Sequence, residues 1–105
     1  MDYKKMRGSE KQIKWAEEIR VNVLAIIADA IEACESSNVS DAQKTAFIGQ
    51  MNAIKHNVET VDYAGELINV FASVKHTGDF KADLKAFKVA LRIGDVNGTF
   101  SKGAK

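Results

Sequence analysis

Two histidines and one cysteine are the side chains in this sequence with the strongest intrinsic chemistry. His56 and His76 lie far apart, and neither belongs to a Glu-x-x-His or His-x-x-x-His pattern that would indicate a metal ligand or a general base. A lone histidine near a helix end ordinarily interacts with the helix dipole or with solvent. Cys34 is the only cysteine, which excludes an internal disulfide and a multi-cysteine metal site. These residues predict no catalytic centre and no metal.

The carboxylates and glycines also lack a catalytic pattern. Glu17 and Glu18 are sequence neighbours, so on a helix they point about 100° apart and cannot share one site. Asp29 and Glu32 could face a cation, but carboxylates three residues apart usually form a solvated face. No glycine-rich phosphate loop precedes a predicted helix. We therefore expect a protein that is not an enzyme and that needs no cofactor.

The charge is distributed unevenly, with basic ends and an acidic centre. Residues 1–20 carry six Lys and Arg against four Asp and Glu, residues 75–105 carry seven against three, and residues 21–74 carry two against seven. Such ends could follow a phosphate backbone if the fold brought them together. The candidate nucleic-acid residues are Lys4, Lys5, Arg7, Lys81, Lys85, Lys88 and Arg92. The competing interpretation, ordinary solvated lysines among acids, is favoured because the segment expected to be a recognition helix, 60–74, carries acids and no base.

The only tryptophan marks a second candidate surface. Trp15 lies at the edge of the apolar face of a predicted helix, where it either covers the core or contacts a partner. Arg20 lies on the margin of the same face, and basic residues flank Trp15. The candidate partner-binding residues are Lys11, Lys14, Trp15 and Arg20.

The helix that carries Trp15 has a clear start signal. Ser9-Glu10-Lys11-Gln12 matches a capping box, in which the Ser9 hydroxyl and the Gln12 side chain satisfy backbone N–H groups. Its apolar face at helical spacing consists of Gln12, Ala16, Ile19, Val23, Ile26, Ile27, Ala30 and Cys34. Val21, Ala25 and Ala28 make the opposite side apolar as well. The helix is therefore predicted to be central in its bundle or covered by a second copy.

Three more amphipathic helices follow. A second capping box, Ser40 with Gln43, begins the second helix. Thr60 could cap the third helix, and Gly78 could end it. Asp79 could then cap the fourth helix. The apolar stripe of the second helix is Phe47, Met51, Ile54 and Val58, that of the third is Tyr63, Ala64, Leu67, Ile68, Phe71 and Val74, and that of the fourth is Phe80, Leu84, Phe87 and Leu91.

These patterns predict an all-α fold: a compact antiparallel bundle of about four helices whose first helix is long and central. Residues 1–94 are expected to form one helical domain, and residues 95–105 a flexible, loose C-terminal tail. The alternative is that 87–93 is a strand that pairs with the tail through a turn at Asn97-Gly98. The absence of proline and the longer stripe from Phe80 favour the helix.

Nothing in the sequence indicates a membrane or a secretory route. The first residues lead into charge rather than an apolar run, and Asn22, Asp29 and Glu32 interrupt the most apolar stretch. A single cysteine suits a reducing compartment. We expect a cytoplasmic protein without membrane contact.

The segment from Gly8 to Arg20 resembles a known helix. Its pattern, Gly-Ser-Glu-Lys-Gln-x-x-Trp-Ala-x-x-Ile-Arg, is similar to a helix that recurs in small, poorly characterised proteins of phages and bacterial mobile elements. Many of those proteins carry a second tryptophan-bearing helix, for which Tyr63–Ile68 is only a loose counterpart here. Some look to carry a zinc ribbon, which one cysteine does not permit.

The resemblance implies an origin in a phage or mobile element, and hence a bacterial host cell as the location, rather than a biochemical activity. Together with the absence of a catalytic pattern, it predicts an interaction protein that acts by stoichiometric binding to a host or phage protein, alone or as a homodimer. Its most concrete form is an inhibitor of a bacterial defence protein of the anti-CRISPR type. The alternative is an accessory protein that binds nucleic acid through the basic ends.

Overall fold

The computed structural model describes residues 5–102, and its secondary structure is helical. The four helices are α1 (Glu10–Glu35), α2 (Asp41–Thr60), α3 (Ala64–Phe71) and α4 (Phe80–Gly94). Between residues 5 and 102 there is no strand, and the only bridge is an isolated parallel pair of Arg7 and Tyr63. The predicted all-α fold is therefore confirmed, and the predicted strand alternative for residues 87–93 is wrong because that segment is the last part of α4.

The two capping boxes form as the sequence predicts. The Gln12 backbone N–H donates to Ser9 Oγ over 3.2 Å, and the Ser9 N–H donates to Gln12 Oε1 over 3.0 Å. Ser40 and Gln43 repeat the arrangement at 3.2 and 3.3 Å. Each box satisfies backbone donors that the first turn of a helix leaves unpaired, so both long helices begin where local sequence places them.

The start of α3 differs from the prediction. Thr60 belongs to the end of α2, where its hydroxyl donates to the His56 carbonyl over 2.8 Å. Tyr63 precedes the first residue of α3 and provides no side-chain cap. Instead, the Ala64 N–H donates to the Arg7 carbonyl over 2.9 Å. A contact with the distant N-terminal segment thus replaces the local cap.

The connection between α3 and α4 is ordered around a buried carboxylate. α3 ends at Phe71, earlier than predicted, and Gly78 adopts a φ of 94° in the loop just before Asp79, which caps α4. Asp83 is 3% exposed and accepts from the Thr77 N–H, the Thr77 hydroxyl and the Gly78 N–H over 2.9, 2.6 and 3.3 Å. The first turn of α4 thereby holds the loop that precedes it.

Residues 95–102 pack against the bundle rather than forming the predicted loose tail. Phe100 is fully buried, and its ring centroid lies 5.0 Å from that of Phe71. Asn57 Nδ2 donates to the Phe100 and Lys102 carbonyls over 2.8 and 3.0 Å. The Asp95 carboxylate accepts from the Phe100 and Ser101 N–H groups. Residues 95–102 are thus part of the packed bundle, contrary to the predicted loose tail, and 103–105 lie outside the described part of the chain.

α1 and α2 run in opposite directions, and α1 lies among the other helices. Arg20 of α1 contacts the Val58 carbonyl near the end of α2, whereas Lys44 Nζ near the start of α2 donates to the Glu35 carbonyl over 3.1 Å. α1 contacts each of the other three helices. The long first helix is therefore central, as predicted, although Val21 and Ala28 on its second apolar side are exposed.

The core lies along the predicted face of α1. Six of its eight predicted positions are buried, and these are Ala16, Ile19, Val23, Ile26, Ile27 and Ala30. Gln12 is exposed because it serves the capping box, and Cys34 is half-buried. Of the described helices, none is both long and apolar enough to cross a membrane.

Candidate functional site

The titratable side chains of the described chain do not converge on a catalytic or metal centre. Within residues 5–102, no three His, Cys, Asp or Glu side chains lie close enough to hold a metal ion. His76 Nε2 lies 2.8 Å from Asp29 Oδ2, which ties the segment after α3 to α1.

The predicted partner-binding residues divide into exposed and buried members. Trp15 is 48% exposed, and Lys11 and Lys14 are exposed beside it on the first turns of α1. Arg20 is only 3% exposed. The first three remain available to a partner, whereas the prediction that Arg20 contacts one is wrong.

Arg20 has a structural role that the sequence did not reveal. Its Nε donates to the Val58 carbonyl and its Nη2 to the Val61 carbonyl, each over 3.1 Å. These carbonyls lie at the C-terminal end of α2, where helix carbonyls lack internal partners and the helix dipole attracts positive charge. No basic residue of α2 itself lies in that turn. Arg20 therefore caps α2 from α1.

The basic residues near the N-terminus are partly paired within the protein. Arg7 Nη2 lies 3.5 Å from Asp62 Oδ2, and the Arg7 guanidinium lies 5.9 Å from the ring centroid of Tyr63. Both charged side chains are exposed, so the pair contributes little to stability. Lys5 is exposed, and Lys4 lies outside the described residues.

The four basic residues of α4 form one continuous row. Lys81, Lys85, Lys88 and Arg92 follow the spacing i, i+4, i+7 and i+11, which places them within about 60° of arc and over about 16 Å of helix length. All four are exposed. We call this row the α4 cation stripe.

Within residues 5–102, no carboxylate forms an ion pair with the α4 cation stripe. The ion pairs among residues 5–102 are Arg7 with Asp62 and His76 with Asp29. The pKa of Asp83 is lowered, chiefly because the Thr77 hydroxyl donates a hydrogen bond to its carboxylate. Burial raises the pKa, but the Thr77 and Gly78 backbone N–H groups lower it further. Asp83 is thus anionic but faces the loop, so the stripe presents an unneutralised positive potential.

Apolar side chains border the stripe. A shallow groove of about 470 Å³ runs beside Phe80 and Leu84, and another of about 580 Å³ runs over Val70, Ala86 and Ala90. Val89 and Ile93 are exposed between or beside the cations. Sequence reasoning missed these two residues, although their spacing of four places them together along the same helix.

The start of α4 lies far from the N-terminal basic residues. Arg7 lies beside the first residue of α3, at the same end of the bundle as the start of α1. Phe80 shares a groove with Ala33 and Cys34, near the far end of α1. The helix rise puts about 33 Å between Lys11 and Ala33. The Lys81 end of the α4 cation stripe is therefore remote from Lys11 and Arg7.

No protein family, curated protein or solved structure matches this chain.

Proposed function

We propose that this protein binds the phosphate backbone of a nucleic acid through the α4 cation stripe. The observation that supports the proposal is the row of four exposed cations without an acid partner within the described chain. Duplex DNA carries about one negative charge per 1.7 Å of axis, so a 16 Å row meets several phosphates at once. Each contact releases condensed counterions, which is the main driving force of such binding.

The stripe suits contacts that are independent of sequence. Base readout needs side chains such as Asn, Gln or Arg in groups that enter a groove, and single-strand binding uses exposed aromatic rings for stacking. The outward face of α4 carries lysines, one arginine and aliphatic residues. We therefore propose a duplex as the ligand and the backbone as the feature recognised.

Anisotropy of a labelled 20-base-pair duplex at about 50 mM salt tests this function. The double variant Lys85→Gln/Lys88→Gln should weaken binding about tenfold, because two of the four phosphate contacts are lost. Lys11→Gln/Lys14→Gln is the matched control, since it removes the same charge from exposed positions on α1. Equal losses in the two variants would show that net charge, rather than the stripe, is responsible, and absence of wild-type binding would reject the function.

We propose a second function on the strength of Trp15, which is half-exposed beside the exposed Lys11 and Lys14. Tryptophan is enriched among residues that dominate binding energy at protein interfaces. The resemblance to phage and mobile-element proteins makes a bacterial defence protein the partner to test first, with inhibition of the anti-CRISPR type as the outcome.

A pull-down from a bacterial host lysate, followed by light scattering of the purified complex, tests the second function. The wild type should recover a partner protein and form with it a complex of fixed stoichiometry. The Trp15→Ala variant should fail to recover that partner. Tyr63→Ala is the control, because Tyr63 is similarly exposed but precedes α3. Unchanged recovery with Trp15→Ala would argue against this surface.

A further inference from the structure

The outward face of α1 has the opposite character to the α4 cation stripe. Glu17, Val21, Ala28 and Glu32 lie within about 60° of arc, and all four are exposed. Val21 is 60% exposed, which is unusual for a β-branched apolar residue on a central helix. Neither glutamate takes part in an ion pair within residues 5–102. We call these four residues the α1 acidic face.

The two surfaces are complementary in charge and in apolar content. The α1 acidic face places one valine and one alanine, Val21 and Ala28, between glutamates about 22 Å apart along the helix. The α4 cation stripe spans about 16 Å and carries Val89 and Ile93 beside its cations. Opposite potentials along two helix faces of comparable length steer association and fix orientation, while the aliphatic side chains provide the apolar contact.

We propose that the α1 acidic face of one copy of this chain docks on the α4 cation stripe of a second copy. A symmetric pairing of two α1 faces fits less well. If antiparallel α1 helices place Val21 opposite Ala28, Glu17 of each copy stands opposite Glu32 of the other. Like charges at such positions repel. The α4 cation stripe removes this conflict because it supplies cations where the glutamates lie.

This contact joins two different surfaces, so it does not close on itself. α1 and α4 contact each other through their buried sides, and their exposed faces therefore point away from the core in different directions. A contact between unlike surfaces generates chains or rings rather than a two-fold dimer. Self-association also occupies the same cations as nucleic acid, so the two ligands of the stripe compete.

Sedimentation velocity on nuclease-treated protein tests the contact without any nucleic acid, so its failure is separate from failure of duplex binding. The monomer has a mass of 11.5 kDa. At about 20 mM salt, the weight-average mass should rise with protein concentration to about twice that value or more. At about 0.5 M salt it should return to the monomer, since screening weakens contacts between exposed charges. A wild type that stays monomeric at low salt and high concentration would overturn the proposal.

Two charge-swapped variants make the test specific to these surfaces. Glu17→Lys/Glu32→Lys turns the α1 acidic face basic, and Lys81→Glu/Lys85→Glu/Lys88→Glu leaves three carboxylates and one cation on the α4 cation stripe, which turns it acidic. Each variant alone should stay monomeric, because its two faces then carry the same sign. An equimolar mixture should associate again, since each face of one variant meets an opposite face of the other. Restoration also shows that both variants fold. Association of either variant alone, or no restoration on mixing, would overturn the proposal.

Discussion

Arg20 offers the sharpest test of how the helices hold together. Replacing it with methionine keeps an unbranched apolar stem but removes the guanidinium that donates to the Val58 and Val61 carbonyls. The side chain is 3% exposed, so little water is available to replace the lost donors. The substitution thus leaves the C-terminal carbonyls of α2 without the donors that cap them.

The expected cost follows from the two carbonyls. An unsatisfied buried polar group costs about 1–3 kcal/mol, so two cost about 2–6 kcal/mol, and we expect a loss of about 3 kcal/mol. A domain of this length has a free energy of unfolding of about 5–15 kcal/mol. The loss corresponds to a fall in melting temperature of roughly 12–24 °C. Arg20→Lys should lose less, because it keeps the charge but not the two-pronged donor geometry.

Urea unfolding followed by circular dichroism at 222 nm measures the difference. Arg92→Met is the matched control, since Arg92 is exposed on α4 and has no ion-pair partner among the described residues. The control should change the free energy of unfolding by less than about 0.5 kcal/mol. If Arg20→Met and Arg92→Met agree within that margin, the interpretation of Arg20 as the cap of α2 is refuted.

Two further predictions concern the C-terminal segment and the loop before α4. Phe100→Ala should lower the free energy of unfolding by about 3–5 kcal/mol, because the ring is fully buried against Phe71, and a calorimetric scan that shows no change would mean that the segment is loose. Asp83 has a lowered pKa when folded, so its contribution to stability is present above the ordinary value of 3.8 and is lost as pH falls through the lower folded value. Asp83→Asn should therefore flatten the dependence of melting temperature on pH below about 4. If the melting temperatures of the variant and the wild type fall equally with pH in that range, this account of Asp83 is contradicted.

The parts of the fold that local sequence predicts are those whose physical cause is local. Ser9 and Ser40 begin helices because each hydroxyl reaches a backbone N–H three residues later. The face of α1 follows from the helical repeat. The start of α3 was missed because the donor at Ala64 finds its acceptor at Arg7, which no local pattern records.

The remaining errors share that cause. Phe100 lies in a stretch rich in Gly, Asn and Asp, which is typical of a loose end, and only Asn57 and Phe71 from distant helices make it part of the core. Arg20 looks like a surface residue until the carbonyls at positions 58 and 61 are brought to it. The sequence predicts the four basic residues of the α4 cation stripe as candidates. It does not predict that Asp83 points away from them into the preceding loop, which leaves the stripe without a neighbouring negative charge.

The measurement that tests the central claim most directly is the salt dependence of duplex binding. Four phosphate contacts at about −0.9 each predict a slope near −3.6 for the logarithm of the association constant against the logarithm of salt concentration. Lys85→Gln/Lys88→Gln should reduce the magnitude of that slope by about half, because each lost phosphate contact removes about one unit. A wild-type slope near zero, or a slope that the double variant leaves unchanged, would contradict binding through the α4 cation stripe.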